Sequence, residues 1–182
     1  MTSPNSAALS RRSYKLLTAS AMFAAMITLT TAYLFHIPVG VNGGYIHFGD
    51  AFIYLAAGLL PMPYACAAAA IGGGLADFVS GVPVWVIPTM IIKPLTAVWF
   101  TAKSPKLLCG RNLLALLLAG IVSNAGYYVA EALFSGNWLA PLVTLWGGVV
   151  QSGGSAVVFL LAAFALDRLN VKEQLGLYRG NE

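Results

Sequence analysis

Charge is what this sequence has least of. Only 9% of its 182 residues are Asp, Glu, Lys or Arg, whereas a soluble domain carries about 25%. Ten basic and six acidic side chains cannot cover a water-exposed globule. That excludes a soluble enzyme. A disordered chain is excluded from the other direction, because 59% of the residues are hydrophobic and the mean hydropathy is +0.79. Cysteine is scarce too. Cys66 and Cys109 are too few for a disulfide framework and match no metal spacing, so each reads as a small apolar filler. Histidine is limited to His36 and His47, with no His-Glu-x-x-His pair, and this gives no basis for an intramembrane metalloenzyme. There is no phosphate loop of the Gly-x-x-x-x-Gly-Lys-Ser/Thr type, so the chain does not bind ATP by that route. No Ser–His–Asp set can be assembled. No metal and no cofactor are expected, and the chain is not read as an enzyme.

What is present is a series of apolar runs. A bilayer core takes about 20 apolar residues per helix. Residues 16–35 form the first uncharged run, and it is too long for the core of a signal peptide. Residues 36–45 carry Pro38, Gly40, Asn42, Gly43 and Gly44 and read as a loop. A second helix is expected over 45–60, short for a span, so it starts near one surface or is shielded by protein. Further helices are expected over 64–80, 85–102, 113–134 and 142–166. Pro88 and Pro94 predict a kink or break in the fourth. The expected fold is all-α: one polytopic membrane domain of six transmembrane helices over 15–167, with polar tails at 1–14 and 168–182. There is no internal repeat, and thus no pair of matched halves of the kind many secondary transporters have.

The basic residues set an orientation. With six alternating spans, Arg11, Arg12, Lys15, Lys103, Lys106, Arg111, Arg168, Lys172 and Arg179 all fall on one side. The opposite loops carry no Lys or Arg, and Lys93 lies inside a helix. The positive-inside rule then puts both termini in the cytoplasm. The net charge of +4 is thereby a sign of membrane orientation and not of a nucleic-acid partner.

Four charged residues fall inside spans: Asp50, Asp77, Lys93 and Glu131. Each costs about 2.5–3.5 kcal/mol at a helix centre, so none is expected to face lipid. The topology brings Asp50, Asp77 and Glu131 to the outer half, with Lys93 and Gln151 near mid-depth. Helical spacing puts Asn124, Tyr127 or Tyr128, and Glu131 on one face. Thr89, Lys93 and Thr96 share another, Gly147, Gln151 and Ser155 a third, and Gly73, Asp77 and Gly81 a fourth. The faces are expected to converge on an interior that opens outward. Helix glue is the competing reading: Asp77 with Lys93, or Asn124 and Gln151 as interhelical hydrogen bonds. Glue alone leaves two negative charges in excess. Tyr45, Trp85, Tyr127, Tyr128, Trp138 and Trp146 gather at the same end, where they form a lipid belt or stack on a flat heteroaromatic ligand. The first helix has few polar groups but holds Ala21 and Ala25, a small-xxx-small strip. That strip lets a partner helix approach closely or packs internally on helix 6.

Three stretches carry a family likeness: Tyr45-Ile-His-Phe-Gly-Asp50-Ala-Phe-Ile-Tyr-Leu-Ala-Ala57, Gly72-Gly-Gly-Leu-Ala-Asp77-Phe-Val-Ser-Gly81, and Pro83-Val-Trp85 through Ile92-Lys93. In their order and spacing the chain resembles the substrate-binding S components of energy-coupling factor (ECF) vitamin transporters, in the riboflavin-type and related branches. The resemblance runs over essentially the whole length. It implies a subunit in the bacterial plasma membrane that captures a vitamin or related micronutrient at the outer face. It also implies partners: a transmembrane coupling subunit and two cytoplasmic ATPases that drive import. Ala21 and Ala25 would match the strip that docks on the coupling subunit, and residues 40–44 a gating loop over the site. The substrate-binding set expected is Asp77, Lys93, Glu131, Asn124, Gln151, Tyr128 and Trp85, with Asp50 at its edge. The alternative function is a self-sufficient small proton-coupled permease, in which Asp50, Asp77 or Glu131 would relay the proton.

Overall fold

The computed structural model describes residues 4–34, 37–38 and 45–176, with side chains given from Arg12 onward except at Pro38. The helices are α1 (Pro4–Tyr33), α2 (Asp50–Leu59), α3 (Met62–Val79), α4 (Val86–Ala97), α5 (Gly110–Ser135), α6 (Leu145–Arg168) and the one-turn α7 (Val171–Gln174). Single 3₁₀ turns, Pro83–Trp85 and Ala140–Val143, lead into α4 and towards α6. Four helices are long and apolar enough to cross a bilayer: α1 from Arg12, α3, α5 and α6. The other two apolar helices, α2 and the Pro83–Ala97 unit, are shorter.

The packing order explains the short helix. Among the described residues α1 packs on α3, α3 on α4, α4 on α5 and α5 on α6, while α2 touches α1, α3, α4 and α6. A helix apolar on all sides belongs in an interior, and in α2 only Phe52 escapes full burial. Ten residues make about 15 Å of helix, roughly half a hydrocarbon core. So α2 fills one half of the bundle. There Tyr54 stacks on Phe100, and Phe159 meets both rings edge-on, within an Ala-rich core.

Loop residues 98–109 close that half of the bundle. Asn112 bonds both the N–H and the C=O of Thr101, at 2.7 and 3.1 Å. Asp167 accepts from the N–H groups of Leu107 and Leu108, at 2.7 and 2.9 Å. Lys172 donates to the carbonyls of Ala102 and Ser104, and burial pulls its ammonium below the usual lysine value. Lys103, Lys106, Arg111 and Arg168 lie at this end, as does the N-terminal part of α1 with Arg12 and Lys15.

Close approach between helices relies on glycine. A Cβ on Gly72 would sit 2.7 Å from the Ala24 carbonyl on α1, and one on Gly73 would sit 2.8 Å from Thr89 on α4. The α1–α3 contact is tied by Ser20 to the Tyr64 carbonyl at 2.8 Å and by Thr28 to the Gly72 carbonyl at 3.0 Å.

Several sequence-based boundaries change. The second helix begins at Asp50 and not at 45, because Tyr45–Ile46 pairs antiparallel with Ile37–Pro38 as a minimal hairpin. The first helix runs back through the polar N-terminal segment to Pro4. The fourth continues through Pro94 without breaking and ends at Ala97, while Pro88 lies in its first turn, where a missing N–H costs no helical bond. Gly81 lies past the end of α3 in a turn at φ +78°, off the helical face shared by Gly73 and Asp77. Ala21 and Ala25 are exposed, whereas their neighbours Ser20 and Ala24 face α3; the internal partner of α1 is α3 and not helix 6. Residues 39–44, and with them the expected gating loop over 40–44, lie outside the described residues.

Candidate functional site: a polar and aromatic cavity

The half of the bundle that α2 leaves unfilled holds a cavity of about 120 Å³. Its wall comes from five places: Tyr45–His47 on the hairpin, Asp77 near the end of α3, Trp85 before α4, residues 123–131 of α5, and residues 141–151 leading into α6. Alternate helix ends meet here, so the cavity lies at the end opposite the Lys- and Arg-rich loops.

Six residues of the sequence-derived set line this space together: Asp77, Trp85, Asn124, Tyr128, Glu131 and Gln151. Asn124, Tyr128 and Glu131 share one face of α5, as the spacing predicts. Lys93 and Asp50 lie beneath the cavity and not in its wall. Lys93 Nζ sits 2.7 Å from Asp50 Oδ1 and 3.0 Å from Oδ2, with both residues almost fully buried. Lys93 therefore pairs with Asp50 rather than with Asp77. The Asp50 carboxylate also heads α2, where the helix dipole favours negative charge. The ammonium lies 5.0 Å from the centre of the Tyr127 ring, a cation–π contact under the wall.

Gln151 joins this buried pair to the cavity. Its amide nitrogen donates to Asp50 Oδ2 at 3.1 Å, and its oxygen faces the His47 backbone N–H at 3.4 Å. The Gly49 N–H donates to His47 Nδ1 at 3.1 Å, which fixes the ring of the second hairpin strand's neighbour over α2.

The upper wall is aromatic and acidic. Tyr45 donates to Asp77 Oδ1 at 2.7 Å. Asp77 Oδ2 is buried and meets no donor in hydrogen-bond geometry among the described residues; the nearby Thr89 hydroxyl is shared with Tyr127 at 2.9 Å. Trp85 packs against Tyr127 and Phe134. Tyr128 donates to the Trp138 carbonyl at 2.6 Å, and Thr144 donates to Glu131 Oε2 at 2.8 Å. Asn124 spends its amide nitrogen on the Gly120 carbonyl and Ser152, which leaves Oδ1 buried without a donor. Gly148 makes room for that oxygen, because a Cβ there would overlap it. Trp138 and Trp146 face outward and are exposed, as a lipid belt would be.

Tyr127, His47 and Thr144 are lining residues absent from the sequence-derived set. Tyr127 was accessible from helical spacing as the neighbour of Tyr128. His47 and Thr144 follow from the hairpin and from the 3₁₀ turn before α6, and neither has a periodic signature.

The family model for "ECF-type riboflavin transporter, S component" matches residues 11–168. A Pyrococcus woesei protein described as "Uncharacterized protein in gap 3'region" is 34% identical over 137 residues, covering 70% of this chain and 90% of that protein. ECF S components are membrane-embedded transporter subunits and not enzymes. With a family match that spans nearly the whole helical bundle, the chain belongs to the ECF-type riboflavin transporter S-component family.

Proposed function

We propose that this chain is the ligand-capturing subunit of an ECF-type uptake system in the plasma membrane. In this reading all six helices act as the membrane domain over 15–167, with both termini cytoplasmic. A vitamin-like heteroaromatic molecule enters from the outer face. A coupling subunit and two ATPases then drive its import. The single observation that carries the reading is the position of the cavity, at the end of the bundle opposite the basic loops. By the positive-inside rule that end is the outer one. A site open only to the outside suits a capture subunit that depends on partners for release.

The family's printed ligand, riboflavin, supplies the chemical class, a flat ring system with polar edges. Trp85, Tyr127 and Tyr128 would stack on such a ring, while Asp77, Asn124, Glu131 and Gln151 read its edges. Asp50 and Lys93 act from below, holding Gln151 and Tyr127 in place. Ala21 and Ala25, exposed on α1, would receive the coupling subunit.

The test separates capture from import. Ala21→Trp/Ala25→Trp should lower cellular uptake at least tenfold and prevent co-purification of the coupling subunit. The same variant, purified alone, should carry its co-purified small molecule as the parent does in native mass spectrometry. Uptake that is unaffected, or ligand lost together with uptake, would defeat this assignment.

A further inference from the structure

We infer that the cavity binds its ligand through the ligand's hydrogen-bond donors, and that it rejects ligands carrying a phosphate or carboxylate. This rests on the reading of the cavity as a heteroaromatic site and adds the charge class of what enters it.

The argument starts from where the donors go. Three hydroxyls at the cavity are spent within the protein: Tyr45 on Asp77, Tyr128 on the Trp138 carbonyl, and Thr144 on Glu131. The Asn124 amide nitrogen is spent on Gly120 and Ser152. The oxygens fare differently. Asp77 Oδ2 and Asn124 Oδ1 are both buried with no donor among the described residues, and Asp77 as a whole is 5% exposed. A buried acceptor left bare costs about 1–3 kcal/mol, so a filled site is expected to supply donors to these atoms.

Charge points the same way. Asp77 and Glu131 both line the cavity, while no Lys or Arg does. Lys93, the cation nearest to it, is committed to Asp50 at 2.7 Å. Residues 35–44 carry no Lys or Arg, nor do the other two loops at this end, so the sequence holds no further basic side chain to bring there. A ligand anion would thus face two carboxylates with no compensating cation, in a space where water is displaced and charges are weakly screened. A ring N–H, an amino group, a sugar-like hydroxyl or a positive ring suits this wall; a phosphate ester does not.

Two matched pairs of probes test the inference on the purified full-length protein by tryptophan-fluorescence titration. One pair is riboflavin and riboflavin 5′-phosphate, the other thiamine and thiamine monophosphate. In whichever pair is recognised, the parent molecule should bind at least tenfold more tightly than its phosphate ester. Glu131→Gln and Asp77→Asn should each narrow that ratio, in variants whose ligand-free melting matches wild type. An ester that binds as well as its parent overturns the inference and leaves the heteroaromatic site standing. A ratio unchanged in both variants, when both melt like wild type, also overturns it, since the discrimination would lie elsewhere. If either variant melts early, Glu131→Asp and Asp77→Glu serve as charge-preserving controls and should keep the wild-type ratio; loss of the ratio there overturns the inference. Binding of none of the four probes defeats the heteroaromatic reading itself, and the inference with it.

Discussion

At the scale of single residues, the pair Asp50–Lys93 has the most at stake. Removing one partner of a buried ion pair strands the other and costs about 3–5 kcal/mol. Asp50→Asn should therefore melt well below the parent in detergent. Adding Lys93→Met should restore much of the loss, because an apolar side chain needs no counter-ion. Thermal unfolding of the two single variants and the double variant checks this, and strictly additive losses would mean that the two charges do not stabilise one another. The sequence made the depth of these groups legible, since charge inside an apolar run must be shielded. It did not reveal which acid Lys93 would choose. Asp77 and Asp50 lie at similar depth, and the choice depends on the rotation of α2, which its uniformly apolar residues leave unmarked. The same blindness applied to Thr144 and His47, whose positions come from a turn and a hairpin and not from a repeating helical face.

At the scale of elements, small residues set the distances. Gly72→Ala would push a methyl group against the Ala24 carbonyl and Ile27, and overpacking of this kind costs about 1–3 kcal/mol. Its melting temperature should fall, whereas Gly153→Ala, which meets open space on α6, should leave it unchanged. Equal behaviour of the two variants would show that α1 gives way without cost. Helix identity was readable here because long apolar runs have few alternatives. The two-residue strands were not, since Ile37–Pro38 and Tyr45–Ile46 adjoin a Gly-rich stretch that reads only as a loop. The N-terminal end of α1 escaped for a different reason: helix formation continued past the apolar run into polar residues that can remain in water.

At the scale of the whole molecule, the separation of a basic end from a cavity end is the organising feature, and charge counting alone made it legible. It also yields a direct check of orientation. In a background with Cys66 and Cys109 replaced by Ser, Ser135→Cys should react with a membrane-impermeant thiol reagent in intact cells, and Lys106→Cys should react only after lysis. Both positions are exposed, so accessibility within the fold does not limit either reaction. The reverse pattern would invert the molecule and put the cavity on the cytoplasmic side. The wall of that cavity has one more consequence, for biosynthesis. Asp50 meets Lys93 after 43 residues of further chain, but it meets Gln151 only after 101. A nascent chain halted after α5 would already own its ion pair and its Ala-rich core, yet its cavity would stand open on the flank that α6 later covers. Completion of the site thus coincides with insertion of the last long helix. A ribosome-bound intermediate has no enclosed site to fill, and the finished subunit acquires one in a single late step.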